Sequence, residues 1–85
     1  MTYSIQFSKE ARNYFKKLEK KEKEQIIKKL QRICVQPEKY LIKLINSEFY
    51  KLKAGDFRLF IDLQNDKLVV LILEIGKRKN IYKKK

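Results

Sequence analysis

The sequence has no histidine, one cysteine, one proline and two glycines in 85 residues. Each shortage excludes something. Without histidine, the chain lacks the commonest general base for neutral pH. The single thiol, Cys34, can close no internal disulfide and belongs to no His/Cys cluster that would bind zinc. The acids show no spacing suited to paired magnesium ions. Gly55 and Gly76 stand apart and form no phosphate-cradling loop. No metal and no small-molecule cofactor is therefore expected. With so little glycine and proline there is neither linker nor repeat, and residues 1–85 read as one domain. Residues 68–73, the longest aliphatic run, are far too few to span a bilayer. Residues 1–15 carry no apolar leader. The expectation is a soluble, cytoplasmic protein without membrane contact.

What is plentiful is positive charge. Lysine and arginine number 22 against 10 acids, a net charge of +12. Such an excess suits a polyanionic partner: nucleic acid, an anionic membrane surface or an acidic protein. Charge alone does not choose among them, and a merely solvated lysine-rich surface would look the same. Hydrophobic residues at 44% beside 38% charged residues indicate a globular chain rather than a disordered one.

Tyr3, Ile5 and Phe7 alternate with polar neighbours, the pattern of a strand with one buried face. Ser8 is placed to cap a following helix, with Glu10 in the first turn where the helix dipole favours an acid. Ala11, Tyr14, Phe15 and Leu18 then recur at helical spacing. The charged segment 19–24 is a break or a solvated start to a second helix. Its apolar stripe is Ile26, Ile27, Leu30, Ile33 and Cys34. Pro37 opposes continuation of that helix. Leu41, Ile42, Leu44 and Ile45 fit either a helical turn or an apolar connection.

Three strands are expected next, over residues 49–53, 57–63 and 68–75. Gly55 would take positive φ in the first turn, residues 64–67 would form a hairpin, and Gly76 would end the last strand. The continuously apolar third strand implies a central place in the sheet. The fold class is α+β, in the order β-α-α-β-β-β, with an antiparallel-dominated sheet and two N-terminal helices packed on one face. Core candidates are Phe15, Leu18, Ile27, Leu30, Leu59, Ile61, Val69 and Leu71. Cys34 reads as a small core residue rather than a nucleophile.

Two helices cover one face of such a sheet and leave the other open. Lys51 and Lys53 share one face with Phe49, and Arg58 shares one with Phe60 and Asp62. If these coincide with the open face, it is cationic, and Arg78 and Tyr82 could fold back beside it. A phosphate backbone would meet lysines as point charges and arginines as forked donors. A solvated polar sheet face is the plainer alternative. Any phosphoryl chemistry would have to use fixed cations, tyrosine and the substrate's own 2′-hydroxyl, a group that RNA has and DNA lacks.

The stretch Tyr50-Lys-Leu-Lys-Ala-Gly-Asp-Phe-Arg-Leu-Phe60 resembles the RelE/ParE toxin pattern: a lysine-bearing strand, a glycine turn and an aromatic-Arg pair. Gly76-Lys-Arg-Lys-Asn-Ile-Tyr82 resembles that superfamily's closing motif, a glycine, a basic pair and a hydrophobic-Tyr pair. Phe7-Ser-Lys-Glu-Ala11 is similar to its strand-to-helix junction. The likeness spans essentially the whole chain in the right order.

The resemblance implies a type II toxin that cuts mRNA in the ribosomal A site and is held by a wrapping, RelB-like antitoxin. It implies that Arg58 and Arg78 stabilise the scissile phosphate, that Tyr82 stacks on a base or accepts a proton, and that Lys51 is one of two catalytic lysines. The second family lysine falls at Phe49 and is missing; Lys53 lies on the same strand face. Tyr82 follows Arg78 by four residues, the shorter of the family's spacings. Lys53, Lys77, Lys79, Lys83 and Lys84 would contact RNA. The ParE branch has the same fold and targets DNA gyrase without ribonuclease chemistry, so an inhibitor of that kind, or a relic that binds only its antitoxin, stays open.

Overall fold

A computed structural model describes residues 2–77. Arg78, Lys79, Tyr82, Lys83 and Lys84 therefore lie outside the described residues.

Strand β1, Ser4–Phe7, leads through Ser8 into helix α1, Lys9–Lys16. Helix α2, Lys20–Val35, follows. The charged segment contains both the break and the new start. Residues 17–19 separate the helices, and the Glu19 amide donates to the Glu22 side chain at 3.0 Å, closing the first turn of α2. Pro37 begins a further single turn, α3 (Pro37–Tyr40), because its fixed φ suits a first helical position while its missing N–H forbids an interior one. The ambiguous apolar segment after it resolves into β2, a two-residue edge strand at Ile42–Lys43.

Strands β3 (Tyr50–Ala54), β4 (Phe57–Gln64) and β5 (Val69–Lys77) complete one sheet in the order β1-β5-β4-β3-β2. Only β1 and β5 pair in parallel; the other contacts are antiparallel. β5 is an inner strand, as its apolar run requires. Gly76 does not end it but pairs with Arg58 within it.

Ile26, Leu30 and Ile33 from α2 and Ala11 from α1 pack onto Leu52, Leu59, Ile61, Val70, Ile72 and Ile75 in one buried cluster. Phe15, Leu18 and Ile27 border it half-buried. Of the expected core residues on β5, Val69 is buried, though outside this cluster, while Leu71 is corrected: it is half-buried, and Val70 and Ile72 supply the cluster's core face. A strand apolar at every position gives no alternation from which its inward phase can be read.

The phase also changes along β5. Phe60 pairs with Glu74 while the next residue, Ile61, pairs with Ile72, so Leu73 is an extra residue, a β-bulge. Ser8 holds it in place. Its amide donates to the Ile72 carbonyl at 2.9 Å, and its hydroxyl donates to the Leu73 carbonyl at 2.7 Å while accepting from the Ala11 amide at 3.1 Å. One side chain thus caps α1 and supplies a partner to the bulged residue.

Two stability outcomes follow. Leu30→Ala should cost about 2–5 kcal/mol, since Leu30 has no exposed surface. Ser8→Ala should cost about 1–2 kcal/mol from lost capping alone. Urea unfolding of each variant checks both values, and a change within error for either would contradict the packing described.

Candidate nucleic-acid interface

The register places two rows of side chains across the sheet face opposite the helices. Lys51 pairs with Phe60 and Phe60 with Glu74. Lys53 pairs with Arg58 and Arg58 with Gly76. Directly paired residues point to one side of a sheet, and those next to them, Leu52, Leu59 and Ile75, point into the core. Lys51, Lys53 and Arg58 therefore do share one face, and the structure brings them together.

The guanidinium of Arg58 is fixed rather than waving in solvent. Nη1 donates to the Gly55 carbonyl at 2.7 Å and to the Phe57 carbonyl at 2.9 Å, and the residue is only 9% exposed. The carbonyl of Gly55 is presented by a left-handed turn with φ +61°. A Cβ on Gly55 would also meet the side-chain Nε2 of Gln25 on α2. The positive φ is what favours glycine here, since the Gln25 side-chain end could swing aside.

Lys53 is exposed and Lys51 half-buried. Lys77 is exposed too, but it pairs with Phe57, a core residue, so its strand position belongs to the helix side. It is not part of the Lys51–Arg58 group. The face is also less uniformly cationic than expected. Phe60 is 7% exposed, and it walls a cavity of about 480 Å³ together with Phe49, Leu44, Ile45, Leu73, Ser47, Glu10 and Glu74. Sequence reasoning passed over this cavity. Glu74, the single acid of β5, was its visible signal; the bulge that lets Leu73 and Glu74 line one cavity was not visible.

Among the described residues, no group of three or more His, Cys, Asp or Glu could hold a metal ion. Cys34 is buried, and desolvation raises its thiol pKa above the ordinary value. A neutral thiol is a poor nucleophile.

The comparisons with known proteins agree in one direction. The model of the ParE toxin family, toxins of the type II parDE toxin–antitoxin system, matches residues 5–82. An Escherichia coli protein named for its likeness to RelE toxins is 32% identical over 81 residues, covering 92% of this chain and 85% of its own. The toxin of the intact E. coli RelBE toxin–antitoxin complex is 30% identical, with a TM-score of 0.75 over 88% of this chain and 95% of that one. In fold alone, the RelBE2 toxin–antitoxin complex of Mycobacterium tuberculosis is similar, with a TM-score of 0.79 at 17% identity, covering 92% and 100% of the two chains.

Two measurements check the site's framework. Gly55→Ala should lower stability by about 1–2 kcal/mol, the cost of a Cβ in left-handed backbone, read by thermal unfolding. Cys34 should react with a thiol reagent orders of magnitude more slowly in the native chain than in denaturant. Equal rates would contradict its burial.

Proposed function

The chain belongs to the ParE toxin family of type II toxin–antitoxin systems, and from that premise we propose that it is a ribosome-dependent mRNA endonuclease that inhibits translation. The observation that carries this reading is the fixed guanidinium of Arg58 set between Lys53 and Gly76, one row from Lys51, on the face the helices leave uncovered. Both hydrogens of Nη1 are spent on backbone carbonyls. The fork's other edge, Nε and Nη2, is the one suited to a phosphate. A charge held in place before the reaction needs no reorganisation when negative charge builds on the phosphoryl oxygens.

The reaction is attack of the 2′-oxygen on the adjacent phosphorus. The O2′–P bond forms and the P–O5′ bond breaks, leaving a 2′,3′-cyclic phosphate and a 5′-hydroxyl. Tyr82, as phenolate, takes the 2′ proton. Arginine does not give up protons, so a lysine of this face, Lys51 or Lys53, is the donor to the leaving 5′ oxygen. Arg58 and Arg78 hold the added charge. Lys53, Lys79, Lys83 and Lys84 bind the RNA backbone, and no metal takes part.

The solved RelBE structures are toxin–antitoxin complexes, and we propose an equivalent antitoxin partner here. A chain of net charge +12 draws an acidic one. Ile45, 90% exposed, Ile42 and Val35 offer apolar surface to a wrapping segment. A second reading, a ParE-like inhibitor of DNA gyrase, is favoured by Phe49 standing where the family has a lysine, and by Glu74 on the same face. A supercoiling assay with purified gyrase separates the two.

The test is single-turnover cleavage on programmed ribosomes with metal-stripped protein, keeping only the Mg²⁺ the ribosome requires. Arg58→Ala should slow cleavage by about 10²–10³, with a much smaller loss of ribosome affinity, because the contact is made mainly in the transition state. Arg58→Lys, which keeps the charge without the fork, should fall between. Cleavage at the wild-type rate by both variants, with circular dichroism showing them folded, would refute the mechanism.

A further inference from the structure

The guanidinium of Arg58 is set from two sides. Its own turn holds Nη1 through the carbonyls of Gly55 and Phe57. On its other flank the residue pairs with Gly76 of β5. Gly76 puts no side chain of its own beside the fork. Which residue of β5 stands there is decided by the bulge. Continued without an extra residue, the pairing of Ile61 with Ile72 would set Phe60 against Leu73, Leu59 against Glu74 and Arg58 against Ile75. A branched apolar side chain would then stand beside the guanidinium. A carboxylate would turn toward the core, where burial is costly.

The apolar side chains require one extra residue between Ile72 and Ile75, because both face the core. They do not fix its place, since leaving out Leu73 or Glu74 satisfies them equally. Ser8 fixes it. Strand β1 ends at Phe7 and α1 starts at Lys9. The amide of Ser8, between them, donates to the Ile72 carbonyl at 2.9 Å. The next carbonyl, that of the bulged Leu73, is taken by the Ser8 hydroxyl at 2.7 Å, and the same oxygen accepts from the Ala11 amide at 3.1 Å. A bulge bends and twists its strand, so its place sets the angle at which residues 74–77 lie against β4.

We propose that Ser8 is a positioning residue for Arg58: by donating to the Leu73 carbonyl, its hydroxyl holds the bulge at one residue and keeps Gly76 beside the guanidinium in the geometry the reaction needs. The proposal rests on the nuclease reading above. The two bonds of the hydroxyl have separate roles. The one it accepts caps α1 and contributes to stability. The one it donates serves the site. Aspartate keeps the first and loses the second, because a carboxylate accepts and cannot donate. Threonine keeps both, and alanine loses both.

Full-length wild type, Ser8→Asp, Ser8→Ala and Ser8→Thr should be compared in single-turnover cleavage on programmed ribosomes, with ribosome affinity measured beside the rate. Ser8→Asp and Ser8→Ala should slow the chemical step by up to about 10²-fold, the scale of small misplacements of catalytic groups, while affinity changes little. In NMR spectra of the free proteins, the Arg58 Nε–H and Gly76 N–H signals should move in both variants. Ser8→Thr should match wild type in rate and in signals. A helix cap alone predicts another order: Ser8→Asp would match wild type and only Ser8→Ala would suffer. That order, or unmoved Arg58 and Gly76 signals in both variants, would overturn the proposal and leave the nuclease reading intact. No cleavage by wild type, with both signals moved in Ser8→Asp, would end the nuclease reading and uphold the link between Ser8 and Arg58. Should circular dichroism show Ser8→Asp unfolded, Ser8→Ala and Ser8→Thr carry the same comparison through the two signals.

Discussion

The bulge at Leu73, held by Ser8, is the constraint on which the working face depends. On the near side of it, Val70 and Ile72 point into the core; on the far side, Ile75 does. Residues 72 and 75 cannot both face one way in an unbroken strand of period two. The extra residue resolves this. It sets Glu74 against Phe60 and Gly76 against Arg58 while keeping Leu59 and Ile61 inward. Ser8 ties the bulged carbonyl to the start of α1, so the helix layer and the strand irregularity are fixed by the same hydroxyl.

The turn between β3 and β4 does comparable work at the other end of the face. Gly55 reaches positive φ over Gln25, and its carbonyl receives the guanidinium of Arg58. A cation that would cost rotamer entropy to immobilise on a substrate is already ordered by its own turn. The helices contribute indirectly: by filling one side of the sheet they leave the two side-chain rows on the other.

Much of this was readable in the sequence because local chemistry determined it. Ser8 as cap, Gly55 as turn, and the alternation from Phe57 to Asp62 all depend on near neighbours. Alternation placed Lys51 with Lys53 and Arg58 with Phe60, while the register of β3 on β4 was needed to bring the two sets to one face. What escaped depended on distant residues. The inward phase of β5 is set by the bulge, and the bulge by Ser8, 65 residues away. The edge strand at Ile42–Lys43 exists only because β3 pairs with it. Lys77 was grouped with the cations by its sequence position, but its pairing with Phe57 puts it on the helix side. Phe60, read as part of an open face, is buried, only 7% exposed.

The central claim is that the cationic face cuts RNA on the ribosome rather than acting on another target. Mapping transcript ends shortly after induction in living cells tests it most directly. The account predicts new 5′-hydroxyl ends within translated regions, repeating in phase with codons and absent from untranslated stretches. Growth arrest with no new RNA ends, accompanied by DNA damage, would contradict it.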